Sequence, residues 1–282
     1  MRNVCWFPSS LLALALAGCP APVNEQNIDL AFEARVGSAP FACGQRYTNV
    51  GRTGTTLSPA DLRFYVHDLR LVTSTGAEFP LHLDATDHQG NGVALLDFED
   101  GSGDCADSGT PSMNMAITGT APTGTFTELR FRMGVPAERN HLDVAASQAP
   151  LNINSMYWGW LGGYKYLRFE GRTTGQPDGF FFHLGATDCT GLPMRGEPRV
   201  CVNGNRPEIR VALPADFTPA THRFVVDVAH WMANVDLDHD QGGGVGCMSD
   251  LTDPDCAAYM GTVGQPTAST QTLFQVERVT SP

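Results

Sequence analysis

Histidines are the residues in this chain whose type and placement first suggest metal chemistry. His67 stands in a strand-like segment beside Asp68, an acid that could orient its ring, and His183 stands within an apolar run. His141 and His88 fall in predicted loops. A copper or zinc site needs neutral imidazoles that converge in space, each held by a hydrogen-bond partner. Because a single histidine is more often structural than a ligand, both interpretations stay open for each of the four.

The aromatic segment 156–165 is the most unusual stretch of the chain. Trp158 and Trp160 alternate within it, and in a strand they would share one face. One interpretation is a core strand that ends at Gly162 and Gly163. The other is a redox-active or modified tryptophan near a metal.

Three alternating acids, Asp236, Asp238 and Asp240, resemble part of a calcium-binding loop. In that loop a glycine follows the third acid directly, but here Gln241 stands there, and the closing glutamate is missing. The pattern therefore favours an acidic solvated turn, with calcium as an alternative. Hydrolase chemistry has less support, since the chain has no G-x-S-x-G motif and no pair of acids stands out for a glycosidase.

Eight cysteines occur in the chain, of which Cys5 falls in the predicted signal peptide and Cys19 is the predicted lipid anchor. An even number remains, which in an exported chain predicts disulfides. The six are Cys43, Cys105, Cys189, Cys201, Cys247 and Cys256. Cys189 with Cys201 and Cys247 with Cys256 would each close a short loop, and Cys43 and Cys105 would then join distant segments. The absence of a C-x-x-C motif disfavours structural zinc and covalent haem.

The N-terminus predicts export and lipid anchoring. Residues 11–17 form an apolar run that is too short to span a bilayer. The run leads into the sequence Leu-Ala-Gly-Cys at 16–19, which fits the bacterial lipobox. We expect a signal peptide at 1–18, a lipid on Cys19, a tether at 19–26 and one domain over 27–282. Since Pro20 and not aspartate follows Cys19, nothing favours inner-membrane retention, and we expect attachment to the outer membrane in the periplasm or at the cell surface.

The charge balance excludes one class of partner. The formal net charge is −12, and Lys165 is the only lysine among the 18 basic residues. Without a basic stripe to neutralise phosphates, the chain is not expected to bind nucleic acid.

Short segments of alternating apolar residues predict the elements that would position these side chains. The predicted strands lie near residues 28–32, 62–72, 79–83, 93–98, 126–133, 156–169, 180–184, 207–213, 222–228 and 272–276. Residues 42–60 are predicted to be loop, with short helices near 230–235 and 254–260. This pattern predicts an all-β fold: an antiparallel β-sandwich or barrel-like single domain with long loops, few short helices and disulfide staples.

Seven segments, taken together and in order, resemble one known family. They are FACG at 41–44, LRFYVHDLRL at 62–71, ALLDFED at 94–100, LRFRMGVP at 129–136, WGWLGGYK at 158–165, HLGATDC at 183–189 and GCMS at 246–249. The sequences of these segments and their order resemble those of the MbnP-like copper-binding proteins, also called the metallo-mystery-pair four-Cys motif family. The resemblance covers nearly all of the predicted mature chain.

The resemblance implies a copper-binding acceptor protein and not an enzyme. Members of that family are periplasmic or lipid-anchored β-rich proteins, usually paired with a diheme cytochrome c peroxidase-like protein of the MauG/MbnH type. In the characterised cases the partner oxidises a tryptophan to kynurenine, and copper binding depends on that change. Carried over to this chain, the copper ligand candidates are His67, His141, His183 and His88, and Trp158 and Trp160 are the candidates for modification.

This chain departs from the family pattern near His88. Many relatives carry a tryptophan near that position, a few residues before the Leu-Leu-Asp-Phe segment at 95–98. If that tryptophan is the modified one, this chain would not form kynurenine, and it would bind copper through histidines alone or not bind it tightly. The alternative function is a β-sandwich binding or adhesion module without copper, or one stabilised by calcium.

Overall fold

The protein is described by a computed structural model over residues 24–159, 161–191, 199–265 and 271–279. The predicted signal peptide, the lipid-anchor residue Cys19 and the modification candidate Trp160 lie outside the described residues.

Nineteen strands and two α-helices occur within the described ranges. In chain order the strands are β1 (Glu25–Val36), β2 (Ala39–Pro40), β3 (Tyr47–Val50), β4 (Thr55–Val72), β5 (Glu78–Pro80), β6 (His82–Leu83), β7 (Gln89–Gly90), β8 (Val93–Asp97), β9 (Ala116–Pro122), β10 (Glu128–Met133), β11 (Tyr157–Gly159), β12 (Gly163–Arg172), β13 (Phe180–Gly185), β14 (Thr187–Thr190), β15 (Val200–Asn203), β16 (Glu208–Ala212), β17 (His222–Asp227), β18 (Gly246–Cys247) and β19 (Phe274–Arg278). The α-helices are α1 (Val228–Trp231) and α2 (Cys256–Thr262), and single 3-10 turns lie at Gly103–Cys105, Ala137–Arg139 and Asn154–Met156.

Two large sheets and one small hairpin organise the described strands. The smaller of the two large sheets has the order β19-β17-β1-β9-β6, with β2 also on β1. The larger runs β16-β10-β4-β12-β13-β18, and β4 also pairs with β3, β5 and β8. In the same sheet β11 pairs with β12 and β7 with β8, whereas β14 and β15 form a separate two-stranded sheet.

Aromatic side chains fill the space between the two large sheets. The ring of Phe274 on β19 lies 5.4 Å from that of Phe64 on β4 and 5.2 Å from that of Phe131 on β10, centroid to centroid. It also lies 6.3 Å from the ring of Phe32 on β1. Because these rings come from both sheets, the sheets pack face to face as a sandwich. The all-β prediction is confirmed, without a closed barrel.

The structure corrects several details of the predicted strand pattern. Residues 42–60 are not one loop, since they contain β3 and the start of β4. The strand β9 and the β14-β15 hairpin were not predicted. The Ala, Gly and Thr residues of β9 give only a weak apolar alternation, and the strand forms because it pairs with β1 over seven residue pairs. The sheets are also mixed, because β1 pairs with β17, and β13 with β18, in parallel.

Three disulfides join the pairs expected from spacing: Cys43–Cys105, Cys189–Cys201 and Cys247–Cys256. Both predicted short helices also form, α1 a little before the expected position and α2 overlapping it. No helix in the described ranges has the length and apolar character needed to cross a membrane. The strand β1 begins at Glu25, within the segment expected to be tether.

Candidate functional site

Two strand pairings bring the side chains of Trp158 and His183 into contact. Trp158 lies on β11, which pairs with β12, and β12 in turn pairs with β13, which carries His183. The indole Nε1 of the half-buried Trp158 lies 3.4 Å from Nδ1 of His183, and the two rings are 5.9 Å apart between centroids. Because an indole nitrogen can only donate a hydrogen bond, Nδ1 of His183 must accept it.

Glu170 completes the hydrogen bonding of His183. In the register between β12 and β13, Arg168 lies opposite His183, so Glu170, two residues further along β12, is on the same face as His183. The Glu170 carboxylate oxygen Oε1 lies 2.6 Å from His183 Nε2. With Nδ1 acting as acceptor, a neutral His183 carries its proton on Nε2 and donates it to Glu170. His183 is only 4% exposed, and burial lowers its pKa. The imidazole is therefore neutral and held in a single tautomer.

A row of buried charges continues behind Glu170. Arg168 donates from Nε and Nη2 to the carboxylate of Glu170, at 2.5 and 2.8 Å. Its Nε also lies 3.3 Å from Asp61, which forms an ion pair with Arg63. Burial opposes ionisation of Glu170, but the hydrogen bonds from His183 and Arg168 outweigh it and lower the Glu170 pKa to about 2. Glu170 is thus a carboxylate at neutral pH.

Lys165 lies close to this row of charges and is itself partly buried. Its Nζ donates to the backbone carbonyl of Ser155 at 2.9 Å. Burial lowers the pKa of Lys165 to about 8, and the nearby positive charge of Arg168 contributes to the shift. The neighbourhood of His183 therefore also holds an amine whose pKa is lowered by burial to about 8.

His67 has the arrangement expected of a metal-binding histidine. Its Nδ1 lies 2.7 Å from the backbone carbonyl oxygen of Gly134, so Nδ1 carries the proton and donates. The residue is 7% exposed, and burial lowers its pKa, which keeps the ring neutral. In the described part of the chain, Nε2 makes no hydrogen bond, so its lone pair remains available. A carbonyl that fixes one ring nitrogen so that the other can bind a metal is the usual support of a histidine ligand.

His141 and His88 have different surroundings. The Nε2 of His141 lies 3.1 Å from the side-chain nitrogen of Asn140 and 3.2 Å from the Sγ of Cys201. His141, Cys189 and Cys201 have potential ligand atoms within 4.8 Å of one another. The two sulfurs are joined as a disulfide, however, and it is the thiolate that binds metals.

His88 is partly exposed, and its ring has a single long side-chain hydrogen-bond contact within the described residues. Its Nε2 lies 3.5 Å from the hydroxyl of Ser112. His67 and His88 are separated by β8, which pairs with β4 on one side and with β7 on the other. Within the described residues, no group of three or more ligand atoms mutually within 4.8 Å contains two of the four candidate histidines. Which histidines share a metal therefore stays a prediction.

The three acids of the possible calcium loop are engaged by their own chain. Asp236 forms an ion pair with Arg52, and Asp238 accepts a hydrogen bond from the hydroxyl of Thr53 at 2.6 Å. Asp240 accepts one from the backbone N–H of Gly242. Across the described ranges, these three carboxylates do not form a group of potential metal ligands. Their contacts describe a hydrogen-bonded acidic turn.

Sequence reasoning missed Glu170 as a functional residue. Its only local signal was that Arg168 and Glu170 are two positions apart and so share a face of β12. The distance from Glu170 to His183 depends on the register between β12 and β13.

Comparisons with known proteins found matches in one family. A sequence model of the MbnP family matches residues 25–249. Among solved structures, MbnP from Methylosinus trichosporium is similar, with a TM-score of 0.78 and 29% sequence identity over 92% of this chain and 100% of that chain. No curated protein sequence matches the chain at a significant level. Because this family match covers more than half of the chain, the chain belongs to the MbnP family.

Proposed function

We propose that this chain is an exported copper-binding protein and the substrate of a diheme peroxidase of the MauG type, which oxidises Trp158 to kynurenine. In this proposal the chain is not an enzyme. The observation that carries it is the pair of Trp158 and His183 in a member of the MbnP family. The half-buried indole can be reached by an oxidising partner, and its N–H is held by a buried imidazole.

Export and lipid anchoring are part of the proposal. The three disulfides support an oxidising compartment, because such bonds persist outside the cytoplasm. The lipobox ending in Cys19 supports attachment to the outer membrane through a lipid.

Trp158 is the better target among the tryptophans that the structure describes. Trp231 is 1% exposed and packs against the rings of Phe169 and Phe182. Its indole N–H donates to the hydroxyl of Thr262 at 2.6 Å. An oxidant at the protein surface therefore reaches Trp158 more readily.

The oxidation balances with peroxide as the oxidant. Two molecules of hydrogen peroxide, each reduced to water, would supply two oxygen atoms that cleave the C2–C3 bond of the indole and give N-formylkynurenine. Water then hydrolyses the formyl group and releases formate. The chain thus loses one carbon atom and gains one oxygen atom.

The residues fit copper through their imidazoles. His67 offers an unprotonated Nε2 and a carbonyl that fixes its ring, and imidazole is a suitable ligand for copper. His141 and His88 remain candidates to complete the site. His183, whose ring nitrogens are engaged by Trp158 and Glu170, serves the tryptophan in this proposal. Copper would be bound as cargo.

Copper content and intact mass together test the proposal. The mature chain would be produced with and without a diheme peroxidase of this type, ideally one encoded by an adjacent gene, and treated with hydrogen peroxide. We expect the mass change to map to Trp158 and about one copper per chain after incubation with copper(I). Trp158→Phe should remove the mass change and the copper binding. Trp231→Phe, the matched control, should retain the mass change and the copper binding. An unmodified wild-type chain that binds no copper would sink the proposal.

A further inference from the structure

Trp158, His183 and Glu170 form a single line of hydrogen bonds with defined direction. The indole N–H donates to Nδ1 of His183 over 3.4 Å, and Nε2–H of His183 donates to Glu170 Oε1 over 2.6 Å. An imidazole held between an N–H or O–H donor and a buried carboxylate is the arrangement that lets a histidine act as a general base in serine hydrolases. Here the base is aimed at an indole nitrogen.

We propose that one-electron oxidation of Trp158 is coupled to transfer of its indole proton to His183. This inference rests on the proposed oxidation of Trp158 and adds a proton acceptor to it. An electron leaves the indole for an oxidised haem of the peroxidase. The Nε1–H bond breaks, and the proton moves to Nδ1 of His183. The products are a neutral indolyl radical and an imidazolium, so the positive charge left by the electron moves from Trp158 to His183.

Glu170 is the positioning residue for this step. Its hydrogen bond keeps the proton of neutral His183 on Nε2, which leaves Nδ1 free to accept. Once His183 is protonated, the carboxylate lies next to the new positive charge and stabilises it. Two hydrogen bonds from Arg168 hold Glu170 in its ionised form. Burial would otherwise disfavour a charged imidazole at this place.

Trp231 is a natural comparison, because its N–H faces a hydroxyl. Thr262 Oγ1 accepts that hydrogen bond at 2.6 Å. A threonine hydroxyl is a far weaker base than an imidazole, so an oxidised Trp231 has no comparable acceptor. The two tryptophans therefore differ in whether loss of an electron can be accompanied by local loss of the proton. Coupled proton loss makes Trp158 easier to oxidise to a stable radical.

Flash photolysis of the mature chain tests the proposal without the peroxidase or copper. In a Trp160→Phe variant, a photogenerated ruthenium(III) polypyridyl complex would oxidise Trp158, and transient absorption separates the indole radical cation from the neutral radical. We expect the neutral radical to appear promptly, and its formation to be slower in deuterated water. The double variant Trp158→Phe/Trp160→Phe reports on Trp231, where the radical cation should persist.

His183→Gln is the decisive variant, since glutamine can accept from the indole and donate to Glu170 but cannot take the proton. We expect deprotonation of the radical to slow by about a hundredfold, in the range that a positioned general base contributes. Glu170→Gln should slow it less. An unchanged rate in folded His183→Gln overturns the inference. If that variant does not fold, the effect of deuterated water on the chain with His183 intact decides. Equal rates of neutral-radical formation at Trp158 in normal and deuterated water would also overturn the inference. Failure to form kynurenine or bind copper would contradict the proposed function and leave this measurement unaffected.

Discussion

Gly185 lies directly against the indole ring of Trp158: a Cβ atom at residue 185 would be 2.2 Å from Cζ3 of the ring. The backbone cannot easily move away, because Gly185 N–H donates to the hydroxyl of Ser249 at 2.9 Å and its carbonyl accepts from Asn205 at 2.8 Å. Because Gly185 on β13 has no side chain, the indole of Trp158 on β11 can lie against the backbone there. This contact sets the position of the indole relative to His183.

Substitution Gly185→Ala should displace the indole of Trp158. Overpacking of this kind usually costs about 1–3 kcal/mol of folding free energy. We expect a shift in tryptophan fluorescence and a lower yield of kynurenine in the peroxidase assay. Gly244→Ala is the matched control, since a Cβ there meets nothing within 4 Å. Equal kynurenine yields in both variants would contradict the role assigned to Gly185.

Substitution Glu170→Gln should destabilise the protein in a pH-dependent way. The Glu170 pKa is lowered in the folded chain from 4.5 to about 2, which corresponds to about 3 kcal/mol of stability at neutral pH. Because the folded-state pKa is depressed, this contribution is fully present above about pH 4.5 and is lost as the pH falls toward about 2. Urea unfolding of both proteins across this range measures the difference, which should shrink in acid.

A surface ion pair provides the control for that experiment. Glu33 pairs with Arg223 where both side chains are about one-third exposed. Glu33→Gln should cost less than about 1 kcal/mol, since exposed ion pairs contribute little. A stability difference for Glu170→Gln that does not change between neutral pH and pH 3 would show that its ionisation is not what stabilises the fold.

The disulfides should contribute unequally to stability. Cys43 and Cys105 are 62 positions apart, whereas Cys189 and Cys201 are 12 apart. If a disulfide acts mainly by restricting the unfolded chain, removing the first should cost about 4 kcal/mol and removing the second about 3 kcal/mol. Denaturant unfolding of the two paired Cys→Ala variants measures this order. A larger loss for Cys189 and Cys201 would indicate that the β14-β15 hairpin matters beyond chain entropy.

Replacement of His67 should weaken copper binding if its free Nε2 is a ligand. We expect His67→Ala to lower copper affinity by more than about a hundredfold, the upper end of what loss of a supporting residue costs. Competition with a chelator of known affinity would measure it. His82→Ala is the control, because His82 is exposed on β6. Equal affinities in the two variants would remove His67 from the copper site.

The disulfides, several strands and the family of this protein could be predicted from its sequence. The six cysteines after Cys19 gave the three disulfide pairs because two of the pairs close short loops. The alternation of Ile28, Leu30 and Phe32 predicted β1, since side chains of a strand point to opposite faces in turn. The motifs from 41 to 249 predicted the family that the comparison shows. Each of these signals lies within a short segment.

The partners of those side chains were decided by tertiary structure alone. Trp158 and His183 are 25 positions apart, and their contact depends on the registers of β11, β12 and β13. The parallel pairing of β1 with β17 is likewise invisible in either strand taken alone. A shift of one residue in such a register would turn His183 away from Glu170, because side chains alternate between faces. The sequence thus determined which groups could react, and the pairing of distant strands determined which of them meet.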